Sequence, residues 1–401
     1  MNKKRHILVV GSGVSGYAAA VAAAESGGVV TIVDKACYPG GQCTHVNVGT
    51  ICGLFIKDEL IEHPFLTDFY KSYCDFDEQA RVINHAGYPV LSYDWKRLTD
   101  YFSQKLTENK VEVLSSAQIS GIQTSGSLIT EVLIEKNGEE LPLAVDAVID
   151  CTGKAVVTEF LGTETICSDN YQAPAYIFEL SGVSANSEFQ LQMILSRFVA
   201  KMDFPPLYVV PGSFKTGKVV LKLALKVAGT DDEDQKEQLL VATQKFVQEK
   251  LLPELKEQTE AFGKATISVL FPEMGWRTGK RPKGKKILTE NQLKGSFKSS
   301  DFVAVGAWPM EEWKEDGQVE IKTLTGVCYG IPAGCLRHNT FDNLFMAGKN
   351  ISADERAISS ARVTGTCLQT GFAAGKMAGA DNAMDLERVI EKLYQTIEHY
   401  F

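Results

Sequence analysis

The hydrophobic pattern is sharpest at the start of the chain. Ile7–Val10 is an unbroken apolar, β-branched run, and Gly11-Ser12-Gly13-Val14-Ser15-Gly16 follows it at once. Tyr17–Ala24 is almost entirely small and helix-compatible. A second apolar run, Val29–Val33, ends in Asp34. Read by period and breaker signals, this is strand, glycine turn, helix, strand, acid. Further along, apolar spacing at Trp95, Leu98, Tyr101, Phe102 and Leu106 predicts a helix over Tyr93–Thr107, with Ser92 or Asp94 as its N-cap. A helix is also expected over Asp58–Tyr73, and a strand over Val111–Leu114. Ile129–Lys136 and Leu141–Ile149 flank Asn137-Gly138, a strong hairpin turn signal.

From about residue 160 the pattern changes to strands at Tyr176–Leu180, Leu207–Val210, Val219–Val227 and Thr266–Phe271, with a long amphipathic helix over Glu237–Gln258. Near the end, Leu344–Ala347 reads as a strand and Thr366–Ala378 as a helix. Gly371, Gly375 and Gly379 make a flat stripe on that helix, matched to Ala18, Ala19, Ala22 and Ala23 of the first. The last elements are therefore expected to dock on the first. The predicted fold is α/β: a Rossmann-like dinucleotide-binding domain, discontinuous in sequence, with an inserted α+β substrate domain. Residues 1–159 are its first part, 160–335 the substrate or cap domain, and 336–401 the closing part with a C-terminal helix.

Each position of the glycine turn has a physical role. Gly11 permits the tight turn, Gly13 lets a pyrophosphate approach the backbone, and Gly16 lets the helix lie close to the sheet. The helix N-terminus offers N–H groups to the phosphates. Asp34, eighteen positions past Gly16, is placed to accept hydrogen bonds from ribose hydroxyls. A glycine turn before a buried helix in some other α/β protein is the plainer alternative, but strand, turn, helix and acid all fall in register.

The 401 residues exceed one simple core, and 44% hydrophobic with 23% charged residues is the balance of a globular protein. A net charge of −9 argues against a general nucleic-acid or anionic-membrane binder. After the basic opening Met1-Asn2-Lys3-Lys4-Arg5-His6 the apolar stretch is too short for a signal peptide or membrane span. Nine cysteines without a CxxC pair suggest reduced thiols and a cytoplasmic location. Six histidines with no metal-ligand spacing give no metal site.

Two motifs are set aside. Gly212–Lys218 spells GxxxxGK, but Val219 replaces the required Ser/Thr and a strand follows, so it reads as a turn. Asp231-Asp232-Glu233-Asp234 reads as a helix N-terminal charge cluster. Arg277–Lys286 reads by default as a solvated basic loop.

After Asp34 comes Lys35-Ala36-Cys37-Tyr38-Pro39-Gly40-Gly41-Gln42-Cys43-Thr44. The double glycine brings bare backbone back to the first turn. GSGVSG followed by DKACYPGGQCT resembles the glutathione-reductase-type FAD superfamily. Ala147–Gly153 resembles its "ATG" strand end. Gly275-Trp276-Arg277, Lys280-Arg281 and Leu288-Thr289-Glu290 resemble an internal segment of FAD-dependent oxidoreductases distantly similar to fumarate reductase and ketosteroid dehydrogenase flavoproteins. The block from Tyr329 through Ala347-Gly348, Ile351-Ser352, Arg362-Val363 and Cys367 to Gly375 follows the same family. Two departures stand out. Asp354-Glu355-Arg356 and Met310–Trp313 occupy segments where the family often carries histidine.

The resemblance implies FAD as cofactor, held by Gly11, Gly13, Ser15, Gly16, Asp34, Lys35, Gly41, Gln42, Cys43, Ala117, Thr152, Gly153, Gly348, Arg362 and Thr366. The N-terminus of the 366–378 helix would then face the flavin pyrimidine. Catalytic candidates from segments expected near the flavin are Cys43, His45, Asp354, Glu355 and Arg356, with packing as the alternative for Cys43. Arg277, Arg281 and Arg362 could clamp a carboxylate, although a structural ion pair is preferred for Arg281. Tyr329 lines the pocket or packs in the core. Cys43 and Cys52 lack the spacing for dithiol chemistry.

The leading expectation is oxidation of a small organic substrate by hydride transfer to flavin N5, with oxygen or another electron acceptor downstream and no nucleic-acid or membrane partner. A flavin-dependent monooxygenase, or a flavin-binding subunit without its own small substrate, is the alternative. A homo-oligomer remains open.

Overall fold

The computed structural model describes residues 4–168, 171–215, 217–294 and 297–401. Its organising unit is a five-stranded parallel sheet in the order Leu344–Met346, Ala147–Asp150, His6–Val10, Val29–Asp34, Glu112–Ser115. Strands from both ends of the chain therefore meet in one sheet. The central strand is apolar from Ile7 to Val10, and Ile7, Leu8 and Val9 are fully buried, as a parallel strand covered on both faces requires.

The helix Val14–Glu25 follows the glycine turn. Its residues Ala18, Ala19, Ala20, Ala22 and Ala23 are completely buried. The closing helix Thr364–Ala378 lies against it. A Cβ on Gly371 would stand 2.2 Å from the Ser15 carbonyl oxygen, and one on Gly375 2.2 Å from that of Ala19. The glycine stripe thus makes the contact expected of it. The C-terminal helix Ala383–Ile397 packs Leu386, Ile390 and Leu393 into the same core.

A second core is built on a four-stranded antiparallel sheet, ordered Leu207–Val209, Val219–Ala224, Ala175–Ser181, Thr266–Leu270. Tyr176, Phe178, Leu221 and Leu223 meet Leu191 and Leu195 of the helix Glu188–Met202 there. Leu288, Phe302, Val305 and Ile331 pack instead into the core of the glycine-turn helix.

Several boundaries differ from the sequence expectation, each for a local reason. The helix expected over Asp58–Tyr73 begins at Pro64, which fills the first-turn position where a missing N–H costs nothing, and Glu59-Leu60 pairs as a short strand. Leu141–Ile149 is not one strand. Glu139–Ala144 completes the hairpin with Leu128–Lys136, and Ala147–Asp150 turns into the parallel sheet. The expected Glu237–Gln258 helix begins earlier, at Glu233. Asp232 caps it by accepting the Gln235 N–H, and a π-helical turn at Val247–Leu251 carries it on to Leu252–Gln258. The acidic cluster is thus a helix N-terminus. Asp94 rather than Ser92 caps the helix Trp95–Glu108.

The Arg277–Lys286 stretch is not a solvated loop. Arg281 is 1% exposed, with Nε donating to the Ala353 carbonyl at 3.0 Å and Nη1 to that of Gly279 at 2.6 Å. In the GxxxxGK segment, Thr216 lies outside the described residues, as do Met1-Asn2-Lys3; Lys215 and Lys218 bond to each other as a tight turn, with strand on the far side. No helix among the described residues is long and apolar enough to cross a membrane.

Candidate active site

Three backbone segments form a cradle at the N-terminus of the first helix. Gly11 has φ +98°, and a Cβ there would strike the Cys151 carbonyl oxygen at 2.8 Å. A Cβ on Gly16 would fall 1.9 Å from the Gly11 oxygen. Gly40 and Gly41 arrive alongside: the Gly40 N–H donates to the Ser12 carbonyl at 2.9 Å, and a Cβ on Gly41 would lie 3.0 Å from the Gly13 Cα. Gly348, at φ +66°, closes the third side against Ser15. A Cβ on Gly13 would meet nothing nearer than 4.0 Å, so its face of the cradle is open. Tyr17 N–H donates the first helical bond, to Gly13, which leaves the preceding N–H groups for an anion.

Asp34 ends its strand beside this turn. Its Oδ2 accepts from the Ser12 N–H and hydroxyl and its Oδ1 from the Ala36 N–H at 2.9 Å, which fixes the carboxylate in place. Lys35 points to solvent, and Ala117 is buried at the start of the strand Ala117–Ser125. Asp150, fully buried, holds the two strand ends of the cradle together: it accepts from the Thr152 N–H at 3.0 Å, the Val157 N–H at 3.1 Å and the Asn350 amide at 2.6 Å. Gly153 lies against Lys349. Neither Asp150 nor Asn350 was singled out from sequence. The signal was a carboxylate closing an apolar run beside Thr152-Gly153.

The closing helix starts on the far side of the cradle. Its Gly365 N–H donates to the Cys52 carbonyl at 2.8 Å, and the Cys43 thiol lies 3.8 Å from the Thr364 hydroxyl. Thr366 Oγ1 and Asn47 Oδ1 are buried without a partner. Burial pushes the Cys43 thiol up to about 11, so it is protonated at neutral pH. Gln42 is half-buried beside it.

His45 is buried, with Nε2 on the Tyr38 carbonyl at 2.9 Å and Nδ1 3.5 Å from Glu273. Burial pulls its pKa down. The Glu273 hydrogen bond and charge outweigh that, and the ring is held above its ordinary value. Both ring nitrogens thus face protein oxygens, and the proton that the ring takes up is held against Glu273.

Asp354 caps the helix Glu355–Ala361: it accepts from the Ala357 N–H at 2.7 Å and the Glu290 N–H at 2.8 Å. Arg356 is paired with Glu312. Glu355 is half-buried, and its charge acts on Arg281 and Arg362. These three neighbours in sequence thus face different partners. Tyr329 is buried, its hydroxyl 2.7 Å from that of Ser360.

Beside Cys52 is a group that sequence reasoning caught through its arginines and through the Met310–Trp313 segment, but not through Lys222. Arg362 donates to the carbonyls of Arg277 at 2.8 Å and Glu311 at 3.1 Å, and to Gln172 Oε1 at 3.0 Å. Arg277 lies over the Trp313 ring, with Cζ 4.1 Å from its centroid, and Lys222 Nζ stands 4.6 Å from the same centroid. Glu311 accepts the Trp308 indole N–H at 2.8 Å. Burial and then the neighbouring cations lower Arg277 to about 9, with Arg362 the largest of them, and Lys222 to about 8, through Arg277. Lys349 is pushed down to about 8 by burial and then by Arg362, while its ammonium donates to the Trp276 carbonyl at 2.9 Å. Lys222 sits in the otherwise apolar Val219–Ala224 strand, and that interruption was the legible signal.

The glycine cradle, the acid at the second strand end and the helix returning from the far end of the chain define a dinucleotide-binding flavoprotein. The chain belongs to the FAD-dependent oxidoreductase family, whose sequence profile matches residues 6–386. It is a flavoenzyme, and its cofactor is FAD. No curated protein matches the chain significantly. Among solved structures it is similar to CmlS, a flavin-dependent halogenase, at 11% identity and a TM-score of 0.53, covering 100% of this chain and 63% of that one. The OxyS anhydrotetracycline hydroxylase from Streptomyces rimosus aligns at 10% identity and a TM-score of 0.51, over 98% of this chain and 66% of that one. A geranylgeranyl bacteriochlorophyll reductase-like protein from Thermoplasma acidophilum aligns at 13% identity and a TM-score of 0.49, over 99% and 82%. At these identities the likeness is one of fold.

Proposed function

We propose that the protein dehydrogenates a small organic substrate and passes the electrons on to oxygen or another acceptor. When bound, the flavin supplies the site that takes a hydride equivalent from the substrate. The reading rests on one observation: a polar, cation-rich cluster of Lys222, Arg277, Arg362 and Glu311 lies beside Cys52 and at the start of the closing helix.

In this reading Gly11, Gly13, Ser15, Gly16, Gly41 and Gly348 hold the diphosphate, and Asp34 the adenosine ribose. Lys35, Ala117, Thr152 and Gly153 border the nucleotide, and Gln42, Cys43, Arg362 and Thr366 border the ring. The unpartnered Thr366 hydroxyl and Asn47 amide oxygen are polar atoms that a ring edge would satisfy. Glu311 takes the substrate's proton, because its carboxylate is set in the cluster by the Trp308 indole. Glu355 supports Arg362 electrostatically. His45, Asp354 and Arg356 position backbone and neighbours.

The test is anaerobic screening of small organic molecules for bleaching of the flavin absorbance. A substrate that bleaches it without NAD(P)H, and whose oxidised product carries no new oxygen atom, supports the reading. Oxygen insertion is the second reading, suggested by the hydroxylase among the solved neighbours. Isotopic oxygen appearing in the product, only when NAD(P)H is supplied, would replace the first reading with it.

A further inference from the structure

We propose that this cation cluster takes an organic acid, whose carboxylate docks against Arg277 and Lys222 on the Trp313 side; this rests on the oxidoreductase reading and names its substrate class.

The cluster carries more positive than negative charge. Arg277, Lys222 and Arg362 meet Glu311 inside it, and Glu355 acts on Arg362 from behind. His85 and Cys52 border the cluster near Lys222. Among the described residues, no ion-pair contact gives either guanidinium a carboxylate. The Arg362 contacts are carbonyl oxygens and the Gln172 amide oxygen. Arg277 stacks on Trp313, and its Nε is buried without a partner, as is Gln172 Nε2. A ring face attracts a cation but does not neutralise it. Cations this enclosed are costly unless an anion joins them, and donors left unsatisfied add to that cost. A carboxylate offers two oxygens to a guanidinium fork and accepts from an ammonium as well.

The surroundings narrow the ligand further. Trp313, Trp308 and Tyr208 border the cluster, with Lys222 Nζ 5.4 Å from the Tyr208 centroid. They suit a planar or apolar body. Glu311 adds a negative charge that a phosphate dianion would face at close range, so a singly charged carboxylate fits better. Much of the cluster comes from the antiparallel-sheet half: Lys222 lies on Val219–Ala224, Gln172 and Arg277 on that sheet's flanks, and Trp313, from a separate two-stranded sheet, packs its ring with Ala224. The glycine cradle comes from the other half. A ligand held by these cations therefore lies on the substrate side of the ring.

The experiment uses FAD-loaded protein. Benzoate and succinate, their neutral amides benzamide and succinamide, and inorganic phosphate are titrated by flavin difference spectra and calorimetry. The acids should bind and shift the spectrum. Their amides and phosphate should bind at least about tenfold more weakly, as expected for losing a charged hydrogen-bonded contact. Arg277→Met should weaken benzoate by a similar factor with FAD content unchanged, and Arg277→Lys should recover part of it. Lys222→Met should act in the same direction.

Amides binding as tightly as the acids, or phosphate binding more tightly, would overturn the proposal. So would an Arg277→Met protein that loses FAD while its remaining loaded fraction binds benzoate undiminished, because the cations would then serve the flavin. Acids that bind and shift the spectrum, in a protein whose flavin no organic molecule bleaches, would leave the carboxylate site standing and remove the dehydrogenase reading.

Discussion

Gly371 and Ser15 meet in the close approach of the two helices that flank the glycine cradle: a Cβ on Gly371 would sit 2.2 Å from the Ser15 carbonyl oxygen. The far end of the chain therefore closes on the residue that follows the glycine turn, and any side chain at position 371 must push the helices apart.

Gly371→Ala should be destabilised by about 1–3 kcal/mol, the usual cost of overpacking, because the obstacle is backbone and cannot rotate away. Thermal unfolding would show it, and FAD content should fall with it, since the same displacement opens the cradle. An unchanged melting temperature would contradict the close approach.

Gly13→Glu should behave differently. A Cβ there finds no protein atom within 4.0 Å, so the chain should fold normally. The carboxylate would occupy the place of the diphosphate and repel it. The expected product is folded, colourless protein; yellow protein would count against the cradle.

Asp354→Ala separates capping from catalysis. Its carboxylate receives two backbone N–H groups, and losing a cap costs about 1 kcal/mol. The melting temperature should drop while the rate of flavin bleaching per folded molecule stays the same. Glu311→Gln should do the reverse, slowing bleaching by about a hundredfold or more at nearly unchanged stability.

His45 gives a pH dependence. Burial lowers its pKa, but the contact with Glu273 prevails and the folded value lies above the unfolded one of about 6.5. A raised pKa means its stabilisation is fully present below about pH 6.5 and is lost as pH rises through the folded value. Glu273 is shifted the other way: burial raises it, and the histidine's hydrogen bond and charge bring it below its ordinary value. Its share is present above the unfolded carboxyl pKa and is lost as pH falls through the folded one. Unfolding free energy measured across this range should slope downward above about pH 6.5 in the natural protein, and His45→Gln should remove that part of the slope.

The nucleotide half was legible because its constraints are local. Gly11 and Gly16 stand where a Cβ would strike backbone, and the small-residue faces of two helices announce their own contact. The Arg277–Lys286 stretch was not legible, because a basic run with glycine and proline looks solvated in sequence. Arg281 is buried there only because the carbonyls of Ala353 and Gly279 reach it through the fold.

The sequence by itself determined the strand, glycine turn and helix at the start of the chain, the acid beside them, and the closure of the sheet by residues 336–401, since each depends on backbone freedom, periodicity or side-chain size within a short window. Only the tertiary structure decided that Lys222, Arg277, Glu311, Trp313 and Arg362 share one cluster, and that Asp354 caps a helix while its neighbour Arg356 pairs with Glu312. Charge and hydrogen bonding act through space between distant segments, and no local pattern in the chain encodes which of them will meet.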